Sequence, residues 1–418
     1  MLRTVNRPPV VTRTDKKIKK PAVRWRNRGA SNPGPMPTIT APQLRDRFPT
    51  LATSTYLVSH SMGAPPVGAR EALAGYWSDW AASGPEAWER WLPEMLDIAD
   101  TLGRIFGAPP GSVSLAPNVS LLQAAIGSAT TFTPERAEVV IESLQFPTVS
   151  YVWDAWRRFG AKVVEVPSSD GRTMSTDALC SAITERTAVV VLSHAAYISG
   201  SIIDVAAIGN RCRETGALFV LDAYQTTGIY PFDVTALPVD VVVGGSHKWL
   251  CGGPGCGFIY VRPERRDVLE PAVTGWMAHA DPFGFEPAPI RLATTGHRWN
   301  TGTPTVPGYL AARAGHDAIL EVGVDAIRAH NLRLTDEIVE AAVIRGFTIP
   351  TPLEHERRTG WIGLDFPGAD RATRALIERR VFVDYRPGCG IRVSPHFYTT
   401  DEEVETFFRV LDEVRRYA

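Results

Sequence analysis

The sequence predicts an α/β fold: a mostly parallel seven-stranded sheet in a large domain, followed by a smaller α+β C-terminal domain. Two features carry this. Between residues 112 and 261, short apolar runs alternate with stretches of helical periodicity, and strands that are apolar on both faces belong to parallel sheets covered by helices on both sides. After residue 306 the pattern changes to long helices, a few short strands and a terminal helix. A chain of 418 residues with 44% apolar content can bury a core of this size.

The strand candidates are Ser112–Leu115, Glu138–Glu142, Lys162–Val166, Ala188–Ser193, Leu218–Asp222, Val239–Gly244 and Gly257–Val261. Helical patterns lie between most of them, for example Val149–Phe159, Thr176–Ile183 and Val205–Thr215. Only a Gly/Pro-rich connection joins the last two strands, so Gly257–Val261 reads as the antiparallel one. The stretch 263–307 is irregular. Helices then run from Val306 to Val343 across a domain boundary, with strands near Trp361–Asp365 and Ile391–Ser394. A last helix starts near Thr400, capped by Thr399 or Thr400, with Glu402 and Glu403 at capping-box spacing. The domain limits follow: a segment 39–64, which the resemblance described below implies packs near the active site, a large domain 65–305 and a small domain 306–418.

Net charge is −1, which exerts no overall pull toward nucleic acid or an acidic surface. The charge is unevenly placed. Residues 1–38 hold ten Lys/Arg and one Asp, a net of +9, which leaves −10 for the rest. That stretch is Pro-rich and aperiodic and reads as a disordered basic leader; no nucleic acid is expected as a partner. Five cysteines without metal-ligand spacing speak against a metal centre or a disulfide scaffold and fit a reducing cytoplasm. No apolar run reaches the roughly 18–20 residues that span a bilayer, and the N-terminus has no secretory apolar region.

The chemistry centres on the stretch from Val239 to Ile259, VDVVVGGSHKWLCGGPGCGFI. A buried strand ends in small residues, then His247 and Lys248, then a glycine-dense loop that lets backbone approach a bulky ligand. A solvated lysine has a pKa near 10.4 and is a poor nucleophile at neutral pH, whereas burial and nearby positive charge free its amine for Schiff-base chemistry. Taken alone, Lys248 also fits a side chain snorkelling from a strand end. Upstream, the run Leu-Phe-Val-Leu ends in Asp222, followed by Ala223, Tyr224 and Gln225; a carboxylate there faces the ligand crevice of a parallel sheet. Ser114 to Ser120 reads as strand, turn and helix start, where backbone N–H groups suit a phosphate, although Asn118 is also a good helix cap.

Asp240, Gly245-Ser246-His247-Lys248 and Gly255-Cys256-Gly257 together resemble the cofactor-attachment motif of the class V aminotransferase superfamily, within the fold-type I enzymes that use pyridoxal 5′-phosphate (PLP). The resemblance covers roughly Thr55 to Tyr417 and is closest to the kynureninase-like branch. It implies PLP held on Lys248, with Asp222 against the pyridine nitrogen and Gln225 on the ring oxygen. It places Ala116, Pro117 and Asn118 at the phosphate, with His247 beside the attachment lysine. It also implies Phe146 stacked on the ring and Ser193 as a small hydroxyl near the cofactor. Gly275-Trp276 and Gly302-Thr303-Pro304 match segments that reach the phosphate, the threonine from the partner subunit, so a homodimer with shared sites follows. Cys389 to Tyr398 resembles the terminal motif, in which Arg392 grips the substrate's α-carboxylate. Tyr56 to Pro66 resembles the segment lining the substrate pocket, which brings His60 or Ser61 to the substrate.

The chain departs from kynureninases in having His247 before the lysine where they have Tyr, Gln225 where they have His, and Ala116 where they often have Thr. Arg374 to Arg380 contains no cysteine of the kind that cysteine desulfurases use as nucleophile. The expected activity is therefore a kynureninase-like lyase cleaving the side chain of a small-molecule amino-acid substrate, by C–S β-elimination or Cβ–Cγ cleavage. A class V aminotransferase, a true kynureninase and a non-catalytic regulator are the alternatives.

Overall fold

A computed structural model describes residues 44–416; the leader at 1–38 lies outside the described residues. The described residues fall within one compact unit. After a short strand β1 (Thr55–Tyr56), the seven-stranded sheet comprises β2 (Val113–Ala116), β3 (Glu138–Glu142), β4 (Lys162–Val166), β5 (Thr187–Ser193), β6 (Leu218–Asp222), β7 (Val241–Gly245) and β8 (Gly257–Val261), in the order β2-β8-β7-β6-β5-β3-β4. Strands β7, β6, β5, β3 and β4 are parallel, and β8 runs antiparallel to both its neighbours. Both the mostly parallel sheet and the antiparallel strand agree with the sequence.

The sheet is covered on both faces, and the residues divide between them with period two. Val139, Ile141, Val189, Val191, Val220, Val241 and Val243 pack on one side with Leu122, Ile126 and Trp153 from the helices Val119–Ser128 and Pro147–Ala155. Val140, Val190, Leu192, Phe219, Leu221 and Val242 face the opposite side, against Ile208 of the helix Val205–Thr215. Strands β5 and β6 are buried along their whole length, and their polar residues, Thr187, Ser193 and Asp222, fall at the strand ends.

Boundaries shift by a residue or two from those read in sequence. The helix read as Val149–Phe159 begins at Pro147, whose fixed φ suits the first helical position, and tightens into a 3₁₀ turn over Trp156–Phe159. The long helical stretch after residue 306 is two helices, Val306–Val322 and Val324–Ile344, broken at Gly323 by a φ of 84°. The first belongs by packing to the large core, where Tyr309, Leu310 and Ile319 are buried. A second core begins with Leu334 and Ile338 of the other. Two helices, Val67–Ser83 and Trp88–Arg104, occupy an aromatic stretch that sequence reading left without secondary structure. No described helix is long and apolar enough to cross a membrane.

The second core lies beneath a small antiparallel sheet of β9 (Ile362–Leu364), β11 (Asp384–Arg386) and β12 (Gly390–Val393), in the order β11-β12-β9, while β10 (Val381–Phe382) pairs in parallel with β1. That pairing, continued by a bridge between Val58 and Ser394, threads residues 57–63 along the edge of this sheet.

The terminal helix Asp401–Val414 is capped by Thr400, whose hydroxyl accepts from Glu403 N while the Glu403 carboxylate accepts from Thr400 N. Thr400→Ala is expected to destabilise the fold by about 1 kcal/mol, and Thr400→Ser by much less, measured as the shift in urea midpoint at constant slope.

Candidate active site

The parallel strands β3, β5, β6 and β7 end at one edge of the sheet, and a cavity lies beyond their carboxyl ends, the usual ligand crevice of such folds. Register places the last residues together: Ser193 of β5 is paired with Asp222 of β6, and Asp222 with Val243 of β7, five residues before Lys248. The small residues ending β7 have a steric reason. A side chain at Gly245 would overlap the hydroxyl of Tyr224.

The cavity is lined by His60, Ser61, Asn118, Phe146, Ser193, Asp222, Gln225, His247, Lys248 and Arg392 from the sequence-derived set. Ala116, Pro117 and Thr303 line a separate, smaller cavity. Trp276 packs among Trp88, Phe283 and Phe285. Within one chain, therefore, the fold does not bring Trp276 or Thr303 to Lys248.

Lys248 Nζ lies over the Tyr224 ring, 4.7 Å from its centroid, and 5.7 Å from that of Phe146. Burial pushes its ammonium below the ordinary lysine range; the Asp222 carboxylate pulls it back, and Arg392 pushes it down again. Burial also raises the Asp222 carboxyl, against the Tyr224 N–H (2.9 Å) and the charge of Lys248, which favour the ion. The pair is thus a buried amine and a buried carboxyl, each restrained by the charge of the other.

Asn118 caps the helix Val119–Ser128 by accepting from Leu121 N, and the start of that helix, Val119 and Ser120, lines the cavity. His247 shares a 2.8 Å hydrogen bond with the Tyr224 hydroxyl, and burial, then Lys248, lower its pKa to about 4, so the imidazole is neutral at pH 7. Gln225 is tethered: it donates to the His60 carbonyl (3.3 Å) and accepts from the Trp249 indole (3.3 Å). Both His60 ring nitrogens are engaged, one with Ser394 (2.8 Å) and one with Asp384 (2.9 Å).

Arg392 is buried and opposite Asp384 in the β11–β12 register. Its Nε and Nη2 donate to the two Asp384 oxygens (2.8 and 2.5 Å), and Nη1 donates to the Tyr197 carbonyl (2.7 Å). Burial would raise the Asp384 carboxyl, but His60 and Arg392 outweigh it and hold it well below the usual range. Sequence reading missed Asp384, Arg386, Tyr197 and Tyr224. The turn Pro387-Gly388 was the available signal for the first two: a hairpin there sets Asp384 across from Arg392. Tyr224 restores to the cavity a phenol that is missing at position 247. Of the five free cysteines, none lines the cavity.

The residues present fit PLP. An amine of lowered pKa suits an aldehyde, a helix N-terminus suits a phosphate, the half-exposed Phe146 offers a ring face, and a buried carboxylate suits a pyridinium. The family profile described as aminotransferase class-V matches residues 119–407. The chain belongs to the class V aminotransferase family. Enzymes of this class V superfamily depend on PLP. Among its relatives, the protein named as the uncharacterized aminotransferase YcbU of Bacillus subtilis (strain 168) is 29% identical over 372 residues, covering 89% of this chain and 96% of the relative. The kynureninase of Pseudomonas fluorescens is 29% identical over 385 residues, covering 89% and 91%. In fold, this class V chain is similar to an apo cysteine desulfurase from Thermococcus onnurineus NA1, with a TM-score of 0.80 at 19% identity over 92% of this chain and 100% of that one. It is also similar to the cystine C–S lyase C-DES, with a TM-score of 0.78 at 21% identity over 87% and 99%.

Behind Ser193 sits Glu142, a buried carboxylate accepting from Ser193 N at 2.8 Å while its other oxygen has no partner. Burial, partly offset by Ser193, raises its pKa to about 7 from 4.5. The folded protein then holds a proton at Glu142 that the unfolded chain has lost, so its contribution is full below pH 4.5 and is lost as pH rises through about 7. Glu142→Gln should therefore gain stability over the parent by up to about 3 kcal/mol between pH 4.5 and pH 8, read from urea unfolding at both pH values.

Proposed function

We propose that this chain is a lyase that carries PLP on Lys248 and cleaves the side chain of an amino acid, by C–S β-elimination or Cβ–Cγ cleavage. One observation carries the reading: a single cavity gathers the lowered-pKa amine of Lys248, the buried Asp222 carboxylate, the Phe146 ring, a helix N-terminus and the Arg392 guanidinium. Relatives named kynureninase support side-chain cleavage, and the absence of a cysteine from the cavity lining speaks against a desulfurase.

When bound, the cofactor supplies an electron sink for the Cα carbanion, and the pocket selects which bond breaks. The protein's own groups do the rest. Asp222 would face the pyridine nitrogen as a carboxylate, and the N–H groups opening the helix Val119–Ser128, with His247, would hold the phosphate. Arg392 would hold the α-carboxylate through the Nη1 and Nη2 hydrogens that Asp384 and the Tyr197 carbonyl leave available, and would thereby orient the Cα bonds of the substrate. In the elimination a free Lys248 amine would take the Cα proton, the C–H electron pair would form the Cα–Cβ double bond, and the β-substituent would leave with its bonding pair and take the proton from Lys248. Thr303 and Trp276 lie away from their own Lys248, which supports a homodimer whose partner sites they complete. The reducing cytoplasm remains the proposed location.

Incubation with cysteine S-conjugates should release pyruvate and ammonia in equal amounts. Keto acid formed only when an amino acceptor is present would instead make the enzyme an aminotransferase. After borohydride reduction, Lys248→Ala should yield no pyridoxylated peptide, whereas the parent should carry the label on Lys248. Arg392→Ala should raise the apparent substrate constant roughly 30-fold or more while the visible cofactor band persists. It should also lower the unfolding midpoint, because Asp384 loses its buried partner.

A further inference from the structure

The guanidinium assigned to the substrate carboxylate has company. Arg386 also lines the cavity, and its Nη2 lies 3.3 Å from the same Asp384 oxygen that Arg392 holds. Asp384 itself does not line the cavity; its two oxygens are taken up by His60, Arg392 and Arg386.

We propose that Asp384 is a specificity-determining residue that sets this site to accept an amino acid with one carboxylate and an uncharged side chain. The inference rests on the reading of Arg392 as the carboxylate-binding group. Two guanidiniums and one carboxylate leave a single positive charge at this end of the cavity. His60 adds none, because burial and then Arg392 hold its imidazole neutral at pH 7 despite Asp384. At the other end, in the cofactor-free protein, Lys248 and Asp222 carry opposite charges, and His247 is neutral. One α-carboxylate therefore balances the site. A second carboxylate would enter a desolvated pocket with no counter-charge left to meet it, which is costly. Asp384 acts through the two arginines and does not touch the substrate.

The test uses the full-length chain and three variants: Asp384→Asn, Arg386→Gln and the double variant. Acetate and malonate are titrated into the cofactor-free protein by calorimetry. Alanine and aspartate are titrated into the PLP-loaded protein through the visible band. Asp384→Asn should shift the ratio of affinities toward the dicarboxylates by about tenfold, Arg386→Gln should weaken acetate by about tenfold, and the double variant should return the ratio to that of the parent. Equal weakening of both ligand types by Asp384→Asn, or a double variant that keeps the altered ratio, would overturn the proposal and make Asp384 only a support for Arg392. If Asp384→Asn does not fold, Arg386→Gln at its exposed position decides, and unchanged acetate affinity sinks the charge count. The acetate and malonate arm needs no cofactor, so a missing visible band would defeat the PLP reading and leave this result standing.

Discussion

Two opposite charges buried at the edge of one sheet, the amine of Lys248 and the carboxylate of Asp222, impose the constraint that organises this molecule. Neither is comfortable there alone. Burial drives the amine toward neutrality and the carboxyl toward its protonated form, and each is restrained by the other. Holding such a pair costs stability that the surrounding core must offset. The uninterrupted apolar strands β5, β6 and β7, packed on both faces, offset it. The parallel register sets Ser193, Asp222 and Val243 side by side at the strand ends, and Lys248 follows in the loop after β7.

A second buried network faces this pair across the cavity, and it is built on different principles. Asp384 and Arg392 meet as opposed residues of an antiparallel hairpin, so their contact is a product of strand pairing. His60 reaches them because β1 adds in parallel to β10 and the following bridge holds residues 57–63 against β12. The N-terminal segment and the C-terminal sheet thus form one wall of the site. The wall carries charge where the opposite one carries the reactive amine, and this arrangement suits a zwitterionic substrate.

Family membership narrows the chemistry to PLP-dependent reactions, and the local departures from kynureninases fall in this cavity. The Tyr224 phenol and the His247 imidazole are hydrogen-bonded to each other beside Lys248. Gln225, in the place of a histidine, is tied to His60 and Trp249, so it braces the two walls against each other.

The sheet was legible in the sequence because short runs apolar on both faces, alternating with helical patterns, belong to a parallel sheet covered on both sides, and Asp222 was legible as the polar residue ending such a run, whereas Lys248 was singled out by the resemblance of its surrounding motif. The sequence by itself also determined the Thr400 cap, which depends only on neighbours three residues apart. Tertiary structure alone decided the partners of Arg392. Asp384 lies eight residues away along the chain and His60 more than three hundred, and only strand pairing, which local periodicity does not encode, brings them into contact. It also decided that Trp276 and Thr303 stand apart from Lys248 in their own chain, since the irregular segment that carries them has no periodicity from which a position in space can be read. Local order is written in short-range pattern, while the charge environment of the cavity arises from contacts between segments remote in sequence.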